Sequence, residues 1–266
     1  MPEAPCRRLR SASTGTTSAV DCGDPDENVC LLHGDGSITR LGSAPLNYAA
    51  QWSPDSQRIA YSIHRQGAFF ALGVKRIGAR EPERELLEGN TGVQPLAWHP
   101  DNSHILVYRA GSDLTVVPSI VDLSTGREVP YLRRTRKLYD GRFSPDGRWF
   151  AYEAEQGGSR NVYISSYPDG TRTYRVSRDG GIAPRWRGDG RELYFLEPDD
   201  AIFAVDVLKA NKVMEFGLPH LLFRLPVTAE PFDDRSFDVD RNGSRFVVIR
   251  GSESGRSEMV LVTNWK

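Results

Sequence analysis

Residues able to move protons, ligate metals or attack a carbonyl are sparse in this sequence, and their spacing argues against a catalytic set. The five histidines are His33, His64, His99, His104 and His220. Of these, His99 and His104 alone approach metal-ligand spacing, yet they flank a tight turn and point to no common site, so both read as turn residues. Asp199-Asp200 and Asp233-Asp234 are pairs of the kind used in general acid–base chemistry. Both lie close to a proline in loop-like sequence and read as solvated turn acids. Residues 21–27 are rich in acid but lack the spacing and closing glutamate of a calcium loop. Neither Gly157-Gly158 nor Gly180-Gly181 precedes Lys-Ser/Thr, so no phosphate cradle is indicated. Cys6, Cys22 and Cys30 form no Cys-x-x-Cys group, although Cys22 and Cys30 could bridge in an oxidising compartment. The expectation is no catalytic residues, no metal and no cofactor.

Charge is more informative locally than globally. The 266 residues carry 34 Lys+Arg and 35 Asp+Glu, which argues against a nucleic-acid or membrane-surface binder. Residues 127–191 nevertheless hold an excess of six positive charges. Arg133, Arg134, Arg136 and Lys137 cluster there, and Arg142 and Arg185 each stand immediately before an aromatic residue, Phe143 and Trp186. Such a patch suits an acidic partner, while the absence of interleaved aromatics makes nucleic acid a poor fit.

The elements that must position these residues are marked by a repeat. Trp52-Ser-Pro-Asp55, Trp98-His-Pro-Asp101, Phe143-Ser-Pro-Asp146, Trp186-Arg-Gly-Asp189 and Val239-Asp-Arg-Asn242 are each followed by an apolar run. The turn positions 55, 101, 146, 189 and 242 are 46, 45, 43 and 53 residues apart. Proline presets the first corner, Asp or Asn bonds the backbone ahead, and Gly tolerates positive φ, so each mark predicts a hairpin. The second half of each unit reads as two more strands, as in residues 161–165 and 173–176 around Pro168-Asp169-Gly170. Four antiparallel strands repeated about every 45 residues predict an all-β chain, a β-propeller of five recognisable units, with five or six blades. Helix should be minimal. Hydrophobic residues at 39% and charged residues at 26% exclude a disordered or fibrous chain.

The ends need separate treatment. Residues 28–41 read as a hairpin around Asp35-Gly36 with no motif before it, while the last unit has three strands near 236–239, 245–249 and 259–263. The N-terminal strands are therefore expected to pair with the last unit and close the ring, which would remove exposed edges. Residues 1–27 are polar and aperiodic, and expected to be disordered, leaving 28–266 as a single domain. Arg7, Arg8 and Arg10 are not followed by an apolar core, so no export signal is expected in this stretch. Apolar runs such as 68–72 and 105–108 fall far short of a membrane span, so no membrane insertion by this chain is expected.

The repeated aromatic-Ser-Pro-Asp-Gly-Arg-x-aromatic-Ala-Tyr pattern resembles the TolB-like (WD-repeat-like) β-propeller family over residues 28–266. The C-terminal half, through Tyr163-Ile-Ser-Ser-Tyr-Pro168, Val176-Ser-Arg-Asp-Gly-Gly181, residues 184–196 and Val260-Leu-Val-Thr-Asn-Trp265, resembles the sensor propellers of bacterial membrane-anchored serine/threonine kinases. That resemblance implies an extracytoplasmic location as part of a longer protein. The kinase motifs themselves are absent, as is the Gly-x-Ser-x-Gly elbow of the peptidases that carry similar propellers.

These readings converge on a non-enzymatic binding or sensor module, a monomer that recognises another protein or a small ligand, with an acidic partner favoured. The alternative is a propeller hydrolase or lyase with its active site at the channel mouth, or the remnant of a kinase- or peptidase-associated propeller. Loops between units should carry the binding face. They place Asn47, Tyr48, Asn90, Gln94, Arg136, Tyr139, Asp140 and Arg235 on it, with Arg142 and Arg185 beside them.

Overall fold

The computed structural model describes residues 9–11, 17–22, 28–41, 46–65, 67, 69–110, 116–132, 138–210, 213–225, 236–251 and 257–263. Every regular element among them is a β-strand. The first sheet holds β1 (Leu9–Ser11), β2 (Thr17–Cys22), β3 (Asn28–His33) and β4 (Ile38–Arg40), in that order. The second holds β5 (Leu46–Trp52), β6 (Arg58–Arg65), β7 (Phe69–Arg76) and β8 (Arg84–Gly89). The third holds β9 (Val93–Trp98), β10 (His104–Ala110), β11 (Val116–Asp122) and β12 (Glu128–Pro130). The fourth holds β13 (Leu138–Phe143), β14 (Trp149–Gln156), β15 (Ser159–Ser166) and β16 (Thr173–Arg175). In the fifth, β17 (Ile182–Trp186), β18 (Glu192–Leu196) and β19 (Ala201–Ala210) are followed by β20 (Val213–Phe216) and β21 (His220–Arg224), both of which pair with the long β19. The sixth holds β22 (Ser236–Val239), β23 (Arg245–Gly251) and β24 (Ser257–Thr263). All pairings are antiparallel between neighbours in sequence or across one short hairpin, as short connections require.

The chain forms two compact units, Met1–Arg134 and Thr135–Lys266, each containing three of these sheets. Within each unit, consecutive sheets bury their apolar faces against one another. Val29, Leu31 and Leu41 of the first sheet meet Ile59, Tyr61 and Ile63 of the second. Ala60 and Leu72 of the second meet Trp98, Ile105 and Val107 of the third. In the other unit Trp149, Val162 and Ile164 pack on Trp186, Leu193 and Phe195, and Tyr194 and Ile202 pack on Phe237 and Phe246. Each such side chain contributes about 1.5–3 kcal/mol relative to an exposed one. This stacking is what a small sheet, unable to bury both faces alone, demands.

The motif turns form as their chemistry dictates. Ser53 and Ser144 donate their hydroxyls to Asp55 and Asp146 at 2.6 Å, and each accepts the N–H of the residue that opens the next strand. In the last turn Asp240 takes over the carboxylate role, accepting from Ser244 N at 2.7 Å, while Asn242 keeps the turn position. The aromatic before the turn locks neighbouring sheets: Trp98 Nε1 donates to Gln51 O and Trp186 Nε1 to Arg142 O, both at 3.0 Å.

One expectation is corrected at the N-terminus. Val29–Leu32 and Ile38–Leu41 do not complete the last sheet: β3 lies between β2 and β4, and β24 pairs with β23. Their sheet is completed by β1 and β2, with β2 paired to β3 and β1 to β2. Main-chain pairing needs no apolar side chain, and Ala19 of β2, at 1% exposure, packs into the core with Val29 and Leu31. Cys30, on β3, is disulfide-bonded, and its partner lies outside the described side chains.

Candidate functional site

In the second to fifth sheets the first strand carries a register break shortly before its aromatic residue. The breaks fall between Tyr48 and Gln51, opposite Leu106/Val107, between Leu138 and Gly141, and between Ile182 and Arg185. Ala49 and Ala183, each three residues before a tryptophan, adopt φ of 57° and 53° there. A bulge of this kind re-aims side chains and releases a backbone N–H from the ladder. Here the released N–H of Ala183 donates to Glu153 Oε2 of the preceding sheet at 3.1 Å.

Around that contact the first strands of three successive sheets bring charged groups together. Arg185, 4% exposed, donates from Nη1 to Asp140 Oδ2 at 2.8 Å and to Pro184 O at 2.9 Å. Its Nε stands 3.8 Å from Asp238 Oδ1, and its guanidinium lies 5.7 Å from the centre of the Phe237 ring. The other oxygen of Asp140 accepts Arg142 Nη1 at 2.8 Å and Gly141 N at 2.9 Å. One carboxylate thus serves two guanidiniums from two sheets. Burial works against the Arg185 charge, but Asp140, Asp238 and Glu153 outweigh it and hold the group protonated.

Glu153 lies at the buried side of this network, 3% exposed, with Arg160 Nη1 3.0 Å from its Oε1. Burial, reinforced by the charge of Asp140, pushes its carboxyl up to about 7 against the Ala183 N–H, Arg160 and Arg185. Arg160 also sits 3.8 Å above the Tyr139 ring, whose hydroxyl donates to Glu155 Oε2 at 2.8 Å. The parts left open to solvent are the edge of Tyr139, part of Arg142, and the Asp238 carboxylate, 60% exposed. An aromatic edge beside a guanidinium and a carboxylate can orient a polar ligand by charge-assisted hydrogen bonds.

The structure therefore brings Tyr139, Asp140, Arg142 and Arg185 together and treats the other expected residues differently. Asn47 is fully buried, its Nδ2 donating to Asn28 Oδ1 at 3.2 Å, so it ties two sheets instead of facing a partner. Tyr48 and Gln94 are half-buried on β5 and β9, and Asn90 is exposed before β9. Arg136 and Arg235 lie outside the described residues. Glu153 and Arg160 were missed, although a glutamate inside the apolar run Trp149-Phe-Ala-Tyr-Glu-Ala was a legible signal of a buried charge with a task.

The histidines stand apart from this network. His33 Nε2 lies 2.9 Å from Thr39 Oγ1, and His64 stacks on Phe70 at 4.3 Å. His99 and His104, expected to diverge, converge instead on Asp101. Asp199 meets Arg224 at the surface, as a solvated turn acid would, and Asp233-Asp234 lie outside the described residues. A groove of about 430 Å³ beside Phe216 and Leu218 includes Arg175, whose guanidinium bonds the Ser177 and Arg178 carbonyls.

No family model matches the chain, and no curated protein matches it. Solved structures do. A putative TolB from Agrobacterium tumefaciens aligns with 99% of this chain and 83% of its own, at 17% identity and a TM-score of 0.64. TolB from Acinetobacter baumannii aligns with 96% of this chain at 16% identity and a TM-score of 0.67, and the chain spans 60% of that protein. An oligogalacturonate lyase in complex with manganese aligns with 98% of this chain and 75% of its own, at 15% identity and a TM-score of 0.66. The fold is a TolB-like β-propeller with several blades, most of them four-stranded among the described residues. These neighbours carry the propeller resemblance and not the narrower one to kinase sensors.

Proposed function

We propose that this propeller is a non-catalytic recognition module that binds another protein or a small polar ligand through the surface around Asp140, acting as a monomer. The observation that carries this reading is the mutual engagement of the charges there. Asp140 is divided between Arg142 and Arg185, and Glu153, the group nearest neutrality, is buried with its oxygens on the Ala183 N–H and Arg160. A hydrolase or lyase needs a base or nucleophile facing substrate, and this arrangement offers a shaped, rigid charge pattern instead. Arg142 retains some exposure, and a carboxylate or phosphate from a partner can compete with Asp140 for it, which favours an acidic partner. The disulfide at Cys30 supports an oxidising compartment.

The test is capture of partners and a ligand screen with wild type and a Tyr139→Ala/Arg142→Ala variant, both checked for folding by circular dichroism. The variant should lose the partner. Retention of every partner by the folded variant would move the site elsewhere, with Tyr48 and Gln94 next in line. Turnover of an oligosaccharide or ester substrate by the wild type would replace binding with catalysis.

A further inference from the structure

The turn joining β9 to β10 departs from its counterparts at two positions, and both departures are imidazoles. The slot held by Ser53 and Ser144 in the second and fourth sheets is His99 in the third. The strand-opening position, occupied elsewhere by Arg58, Trp149, Glu192 and Arg245, is His104. The backbone does not need the change. His99 N bonds His104 O at 2.9 Å and Asn102 N bonds His99 O at 3.0 Å, matching Ser53 N to Arg58 O at 2.8 Å and Ser56 N to Ser53 O at 2.9 Å. The main chain therefore makes the same turn, and the two imidazoles are extra to it.

Their geometry is that of a small ligand set. His99 Nδ1 and His104 Nδ1 stand 2.9 and 2.7 Å from the same oxygen, Asp101 Oδ2, and donor atoms from all three residues lie within 4.8 Å of one another. Asp101 Oδ1 is anchored by Ser103 N at 2.7 Å and His104 N at 3.1 Å, which fixes the carboxylate with Oδ2 toward the rings. Anchoring of this sort is what orients metal ligands. A tetrahedral cation with bonds of about 2.0–2.2 Å needs its donors roughly 3.4 Å apart, so the two imidazole nitrogens must each draw back from Asp101 Oδ2 by roughly half an ångström or slightly more, within reach of side-chain rotation. The side chain of His104 is 35% exposed and that of Asp101 38%, so an ion reaches the cluster from solvent.

We propose that His99, Asp101 and His104 form a binding site for a borderline divalent transition metal, Zn²⁺ foremost, with two imidazole nitrogens and one carboxylate oxygen as ligands. The remaining coordination position faces solvent, where a water or a side chain from a partner completes it. Two nitrogen donors select Zn²⁺, Ni²⁺ or Cu²⁺ over Ca²⁺ and Mg²⁺, which take oxygen sets.

The experiment is calorimetric titration of the untagged, chelator-stripped chain with zinc chloride, beside melting curves with zinc or magnesium. The two variants are His99→Ser and His104→Arg, which install the residues that the same turn carries in another sheet and therefore keep it foldable. One zinc per chain is expected, with a rise in Tm on zinc and none on magnesium. Each variant should lose roughly tenfold or more in zinc affinity while keeping the metal-free Tm. Absence of saturable zinc binding by the wild type, or wild-type zinc affinity in either variant, overturns the assignment.

Discussion

At the scale of single residues, the buried acid of the fourth sheet sets a pH dependence whose sign follows from linkage. Glu153 has its folded-state carboxyl raised from 4.5 to about 7, so the native chain holds a proton there that the unfolded chain has released. The stability this proton confers is complete below the unfolded value and is lost as pH rises through about 7. Melting temperature should fall between pH 5 and pH 8, and Glu153→Gln, which mimics the protonated acid and can still accept the Ala183 N–H, should flatten that profile. An unchanged slope would assign the pH dependence to other groups. Asp140→Ala should cost roughly 3 kcal/mol in denaturant unfolding, because it strips the nearest counter-charge from an Arg185 that is 4% exposed. The sequence made Asp140, Arg142 and Arg185 legible through their place in the repeat. It showed Glu153 as a charge inside an apolar run but hid what that charge does, because the role is assigned by its partner, and the partner, the Ala183 N–H, is freed only by a backbone bulge 30 residues away.

At the scale of elements, turns were readable and bulges were not. A Ser-Pro-Asp turn closes on bonds within seven residues, so its residue types suffice to announce it. A bulge depends on which strand lies opposite, and nothing local to Ala49 or Ala183 announces φ above 50°. One position shows how tightly the bulged strands are fitted. A Cβ placed on Gly141 of β13 would fall 2.3 Å from Phe150 Cζ and 2.9 Å from the Ala151 carbonyl oxygen. Gly141→Ala should therefore destabilise the chain by about 1–3 kcal/mol in a urea titration. Because Gly141 stands between Asp140 and Arg142, it should also weaken partner binding, whereas Gly36→Ala on the tip of an exposed hairpin should leave binding intact. Equal binding by Gly141→Ala would mean the strand has room to adjust.

At the scale of the molecule, the first sheet is a structural member in its own right. Val29, Leu31 and Leu41 cover Ile59, Tyr61 and Ile63, all at 0–5% exposure. Removing residues 1–41 should uncover that apolar face, and light scattering should then report a higher association state than that of the full chain. A monomeric truncated chain with an unaltered Tm would show that the second sheet keeps its face covered by other means. The number of repeats was legible from residue 52 onward because each carries a proline-containing or glycine-containing turn. The first sheet was half legible, through its Asp35-Gly36 hairpin, since β1 (Leu-Arg-Ser) and β2 (Thr-Ser-Ala-Val-Asp-Cys) are short stretches of mixed polarity with no motif turn to announce them.

The indole bonds between neighbouring sheets have an optical consequence. Trp186 Nε1 donates to the carbonyl of Arg142, the residue whose guanidinium faces the proposed partner, and Trp98 Nε1 donates to Gln51 in the other unit. An indole whose N–H meets a fixed peptide dipole emits at a wavelength set by that dipole. Any event that displaces Arg142 should shift the Trp186 emission, read as the difference between the full chain and a Trp186→Phe variant, since the chain holds five tryptophans. An intrinsic fluorescence change on adding a partner would thus report engagement of the proposed surface without a dye.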